Sequence, residues 1–277
     1  MTISQNATEF VGSAQTKGGM RLLPKLSSIG PTILGLAGLF VVWWAGAWLI
    51  ASNPSTASFS DFAPGPTLNR FWDIVTSGDI ITMSLPSLYR IGVGLLWACI
   101  IGLPLGILIG ANKLARATTN IPFQFLRMIS PLAWMPIAVL AFETWDAAII
   151  FLVAIAAVWP VTFATANGLR KVDPSWFKVA RNLGAKPWHM LFVVVLPAIA
   201  QDVLTGIRLA LGVAWIVLVP AEYLGVTSGL GYAINDARDT IEYDLLAAVV
   251  LVIGLIGFAL DYTFMKMIER YSWVRED

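Results

Sequence analysis

Cysteine and histidine are almost missing from this chain: Cys99 and His189 are the only ones among 277 residues. A lone cysteine excludes an internal disulfide, and its neighbours Ala98 and Ile100 mark it as a small, buried apolar residue. One His and one Cys leave no material for a His/Cys metal cage or a Cys/His nucleophile pair. A Ser/His/Asp arrangement needs its members in one site, whereas His189 reads as an interfacial residue beside Trp188. There is also no G-x-x-x-x-G-K-[ST] phosphate loop, so the chain cannot hold ATP in that manner. Gly229–Gly231 is too short a glycine signal for that role and reads as a turn. Charge is scarce as well. Only 13% of residues are charged, about half the share usual for soluble domains.

What is abundant is apolar surface. Hydrophobic residues make up 57% of the chain, with 12 Trp, and the mean hydropathy is +0.75. Tryptophan suits a bilayer interface because its ring is apolar and its N–H can stay wet. Residues 1–30 are polar and read as a cytoplasmic tail, with no apolar stretch near Met1 of the kind a cleaved signal peptide carries. Residues 31–50 are uncharged and mostly apolar, and at 1.5 Å rise each they reach ~30 Å, one bilayer core. Further runs cover 91–111, 128–142, 147–168, 203–219 and 245–260. Pro131 and Pro136 break the third, and in lipid such a break survives only beside protein or a water-filled cavity. The stretch before the fifth run is expected to break at Leu196-Pro197. The pattern predicts an all-α, polytopic membrane protein of about six transmembrane helices, with residues 31–277 as its membrane domain.

Basic residues set the orientation. The segments 1–30, 110–127, 170–202 and 264–277 hold 14 of the 18 Lys and Arg, whereas 51–89, 143–146 and 222–244 hold only Arg70 and Arg238. Because Lys and Arg stay preferentially inside, both termini are expected in the cytoplasm. Gly102, Gly106 and Gly110 form a small-xxx-small ridge, which serves packing within one subunit or across a dimer, and Pro104 is expected to bend that span.

One short polar stretch interrupts the apolar pattern. Asp173 is a good N-cap, Pro174 fits the first turn, and Gly184 is a natural stop. About ten helical residues lie between, too few to span. Phe177, Ala180 and Leu183 form an apolar stripe, with Lys178 and Arg181 elsewhere on the helix. Such a helix meets either anionic lipid headgroups or a partner protein.

The spacing from Ala180 through Gly184 to Leu196-Pro197 resembles the "EAA–G–I-x-L-P" loop of ABC importer permeases. Lys178 stands where that loop has Glu, Val179 where it has Ala, and Val194 takes the Ile position. "RMISPLAWMPIAVLAF" (127–142), "LTGIRLALGVAW" (204–215) and "AEYLGVTSGLGY" (221–232) resemble the nitrate, sulfonate, taurine and bicarbonate group of these inner-membrane permeases, over a core of about residues 85–268. The resemblance implies a type I importer permease of a bacterial inner membrane, moving a small anion by alternating access. It implies as partners a second permease copy, two ATP-binding cassette subunits that hold ATP and Mg, an extracytoplasmic solute-binding protein and membrane lipid. No cofactor in this chain and no nucleic acid are expected. Asp173, Phe177, Lys178, Ala180, Arg181, Leu183, Gly184 and Ala185 are the implied coupling residues.

Charges near the spans suggest the pathway. Arg208 inside the fifth run would cost roughly 2.5–3.5 kcal/mol against lipid, so it faces protein or water, as an anion-attracting residue or a structural pair. Arg90 opens the second run and Glu222 closes the fifth, with Asp261 as a structural partner near the end of the sixth. Trp134, Pro136, Arg208, Trp215 and Glu222 are the expected pathway residues. A motor-independent transporter or channel would need ionisable residues at midplane for coupling ions, and Arg208 is the chief candidate. A structural scaffold is the other alternative.

Overall fold

The computed structural model describes residues 26–273, among which every regular element is helical and no strand occurs. The expected polar tail lies outside these residues up to residue 25, and its last residues already belong to α1 (Leu26–Ser52). Five helices are long and apolar enough to cross a membrane: Gly30–Ser52, Asp79–Ala111, Trp145–Lys171, Pro187–Gly225 and Tyr243–Arg270. A bent pair makes up to six.

Three of these form the packed centre: α3 (Asp79–Ala111), α6 (Trp145–Lys171) and α9 (Leu196–Gly225). Their shared core includes Ala98, Ile149, Leu152, Val161, Ala214 and Leu218. The glycine ridge of α3 explains the closeness of the first two. A Cβ at Gly94 would stand 2.4 Å from Val153, at Gly102 3.0 Å from Val161, and at Gly106 2.5 Å from Thr165. Small residues let the two backbones approach, so the ridge packs inside one subunit. Gly206 does the same for α9, where a Cβ would sit 2.4 Å from that of Ala164.

The third span differs from its expected form. The segment before residue 128, expected as an inner loop, is α4 (Lys113–Met128), capped by Asn112, whose side chain accepts from the Leu114 and Ala115 amides. A 3-10 turn (Pro131–Trp134) and α5 (Met135–Ala141) follow, and the pair bends by 86°. Ile129 and Ser130 are extended at the break, as a residue before proline prefers. The fifth span differs too. α8 (Pro187–His189) passes into a π-helical segment, Met190–Val195, and then into α9 without a break at Leu196-Pro197. The wide π turn accommodates a residue that has no N–H to donate.

The periphery completes the chain. α1 packs against the short 3-10 helix that follows it (Ala57–Phe62) and against α2 (Pro64–Ser77), and the Trp43 indole donates to the Phe62 carbonyl at 3.0 Å. Leu34, Leu39 and Val42 on α1 are exposed, as helix–lipid contact requires. α2 carries Arg70, which pairs with Glu242 at 2.5 Å just before α11 (Tyr243–Trp273). α10 (Leu230–Asp239) lies against α9 and α11, and α7 (Pro174–Asn182) links α6 to the α8–α9 unit.

Candidate functional site: a capped helix and a membrane-depth cavity

Helix α7 is built as its capping residues dictate. The Asp173 carboxylate accepts from the Ser175 amide at 2.8 Å. That backbone contact, and then the Ser175 side chain, hold the Asp173 carboxyl below its usual range. At the other end Gly184 has φ +79°. Its amide donates to the Arg181 carbonyl, and the Ala185 amide donates to Ala180 at 3.0 Å, the paired bonds that close a left-handed stop. The expected apolar stripe divides. Phe177 turns inward against Leu169, Val195 and Ile199, whereas Leu183 points out. With Trp176 and Val179, it forms an exposed apolar row, lining a groove of about 490 Å³ with Val193, Val194 and Pro197. Lys178 and Arg181 are exposed beside it. Trp176 and Val179 were legible as i, i+3, i+7 with Leu183, a row one position off the predicted stripe.

A second feature lies among the spans. Helices α4, α6 and α9 and the broken turn before α5 enclose a cavity of about 550 Å³. Trp134, Trp159, Phe163 and Asn167 line it, together with Arg127, whose guanidinium sits 5.3 Å over the Phe163 ring. Phe163 lies about 12 Å short of Lys171 along α6 at 1.5 Å per residue, well inside the span. Arg127 falls in a segment expected on the inner side of the membrane, and its spacing along α4 carries the signal of its true place. Arg116, Thr119, Asn120, Phe123 and Arg127 fall on one face of α4 and line this cavity or the smaller one of about 110 Å³ that adjoins it. Leu114, Ile121, Phe125 and Met128 are exposed on other sides. On the cavity face Arg116, Thr119 and Phe123 are half-buried and Asn120 and Arg127 exposed, and a helix with large apolar side chains on its other sides suits lipid, not a loop.

The chain matches, over residues 102–270, the family of binding-protein-dependent transport system inner membrane components. It belongs to that family. The bicarbonate transport system permease protein CmpB of Synechococcus elongatus is 33% identical over 262 residues, which cover 89% of this chain and 90% of that protein. The putative aliphatic sulfonates transport permease protein SsuC of Bacillus subtilis is 37% identical over 201 residues, 72% of each chain. An inward-facing structure of the MetNI methionine ABC transporter shares the fold, with TM-score 0.56 and 17% identity, covering 68% of this chain and 93% of that one. The protein is thus a multi-pass inner-membrane permease subunit of an importer that works with a solute-binding protein and an ATPase, and is not itself an enzyme.

Of the permease's expected pathway residues, Trp134 lines the cavity. Pro136 is exposed on α5 and is absent from the cavity wall. Trp215 packs instead toward α11, where a Cβ at Gly257 would stand 2.7 Å from its indole nitrogen. Arg208 is held by Asp261 of α11 through two bonds of 2.7 Å, so its charge is met within the fold. Glu222 is fully buried and takes the Arg90 guanidinium at 2.7 Å. Arg90 also donates to Asp146 at 2.6 Å and to the carbonyl and hydroxyl of Ser228. The Ser87 hydroxyl and the Gly231 amide donate to the other Glu222 oxygen. This cluster ties α3, α6, α9 and α10 together at one end of the bundle. Gly229, at φ +108°, admits it, since a Cβ there would be 2.7 Å from the Arg90 guanidinium.

Proposed function

We propose that this permease, paired with a second copy, lines the path of a small oxyanion or sulfonate, and that α7 of each copy is where the ATPase subunits dock. The observation that carries the reading is the exposed row Trp176, Val179 and Leu183 on a helix capped at both ends and anchored to the spans by Phe177. A docked ATPase needs such a rigid apolar projection, with Lys178 and Arg181 to orient it. ATP and Mg bind to the ATPases, which close on ATP, draw the two α7 helices together and turn the cavity from inward-facing to outward-facing. This chain holds no cofactor of its own in that scheme. Both termini lie in the cytoplasm, and the binding protein meets the acidic outer loops.

The substrate class follows from the relatives' names, bicarbonate and aliphatic sulfonates, which share a compact, oxygen-rich anionic group. The test is co-purification of the permease with its ATPase, then uptake of bicarbonate, nitrate, taurine and alkanesulfonates in vesicles supplied with binding protein and ATP. Uptake that proceeds without ATP would favour a motor-independent transporter instead.

A further inference from the structure

The cavity between α4 and α6 is more specific than a generic water path. Its wall is mostly apolar and aromatic, and its cation is Arg127. No Asp or Glu lines it or the adjoining smaller cavity, which shares Phe163 and Asn167 with it and adds Arg116 and Arg170. Among the described residues no carboxylate comes within ion-pair distance of Arg127, in contrast to Arg90 and Arg208, which are both paired. Arg127 is itself exposed beside this apolar wall, and a cation next to a low-dielectric surface concentrates counter-ions. Two further arginines toward the inner end of α6 continue the same sign of potential. The guanidinium fork matches the geometry of a carboxylate or sulfonate, and a cation–π contact with the Phe163 ring at 5.3 Å holds it near the cavity wall.

Size narrows the ligand further. At about 550 Å³ the cavity is of the order that takes a whole organic molecule, far more than a nitrate or bicarbonate ion fills. Trp134 and Trp159 offer apolar area to a tail, and none to a bare inorganic ion. We infer that this cavity is the permease's substrate-recognition site, with Arg127 binding the oxyanion head group of an organic anion and Trp134 and Trp159 covering its aliphatic tail. The inference rests on the anion-import reading above and sharpens it from oxyanions in general to organic sulfonates or carboxylates.

The test uses the permease–ATPase complex in vesicles of phosphatidylcholine alone, where no anionic lipid headgroup competes for Arg127. Tryptophan fluorescence is titrated with hexanesulfonate, ethanesulfonate and bicarbonate, and ATP-driven uptake of each is measured in parallel. Hexanesulfonate is expected to half-saturate the signal at the lowest concentration and bicarbonate at the highest. Arg127→Gln should raise the half-saturation for hexanesulfonate about tenfold or more, the loss of a charge-assisted contact. Arg127→Lys keeps the charge but loses the fork, so its half-saturation should fall between those of the parent and Arg127→Gln. Bicarbonate binding as tightly as hexanesulfonate, or Arg127→Gln binding like the parent, overturns the site. If Arg127→Gln fails to assemble, Arg127→Cys in a Cys99→Ala background is modified after assembly. Binding restored by a cationic thiol reagent and not by a neutral one supports the site, and equal effects overturn it. Arg127-dependent binding without uptake of any anion would remove the transport reading alone. Anion uptake that is indifferent to Arg127 would remove the site alone.

Discussion

Arg90 and Glu222 stand 2.7 Å apart, from helices α3 and α9, with 2% and 0% of their side chains exposed. An ion pair so far from water needs further partners: Asp146 and Ser228 accept from Arg90, and Ser87 and the Gly231 amide donate to Glu222. Removing one partner strands a buried charge. Arg90→Met or Glu222→Leu alone should lower stability by about 3–5 kcal/mol. The double variant should lose less than the two singles combined, because no unpaired charge remains. Thermal unfolding of the detergent-solubilised complex measures all three, and simple additivity would argue that the pair is not coupled.

Arg208 and Asp261 give the opposite expectation. Their side chains are 35% and 50% exposed, outside the packed core, so losing one partner strands no fully buried charge. Arg208→Gln should assemble with a slightly lowered unfolding temperature and transport near the parent rate. A selective loss of uptake in a fully assembled Arg208→Gln complex would place this arginine in the path after all.

Gly184 terminates α7 at φ +79°, with open space where a Cβ would go. A substitution there therefore acts through the backbone and not through a clash. Gly184→Asn is expected to be tolerated, since Asn enters the left-handed region with little penalty. Gly184→Val should cost about 1–2 kcal/mol locally and re-aim Leu183 and Ala185. In a pull-down, the Val variant should insert normally and recover much less ATPase than the Asn variant. Equal recovery would show that the stop does not position the docking row.

Orientation is tested with two exposed serines, Ser58 after α1 and Ser175 on α7. In a Cys99→Ala background, Ser58→Cys should react with an impermeant thiol reagent in intact cells, and Ser175→Cys only after the membrane is opened. The reversed pattern would put α7 on the wrong side for an ATPase.

Composition and local pattern alone determined a helical membrane protein, the positions of most spans and both caps of α7. These depend on the free energy of single segments, on apolar length against bilayer thickness and on one or two hydrogen bonds at a helix end. The polar stripe of α4 was equally local, and it was obscured because a basic segment before a proline-broken run reads as a loop. Which arginine faces the cavity was decided only by tertiary structure. Arg90, Arg127 and Arg208 look alike along the chain. Their roles part because residues 132, 56 and 53 positions away supply carboxylates to Arg90 and Arg208, while the close α3–α6 and α6–α9 packing leaves Arg127 against a ring and open space. Partner choice for a buried charge is a contact between distant segments, and no segment read by itself contains it.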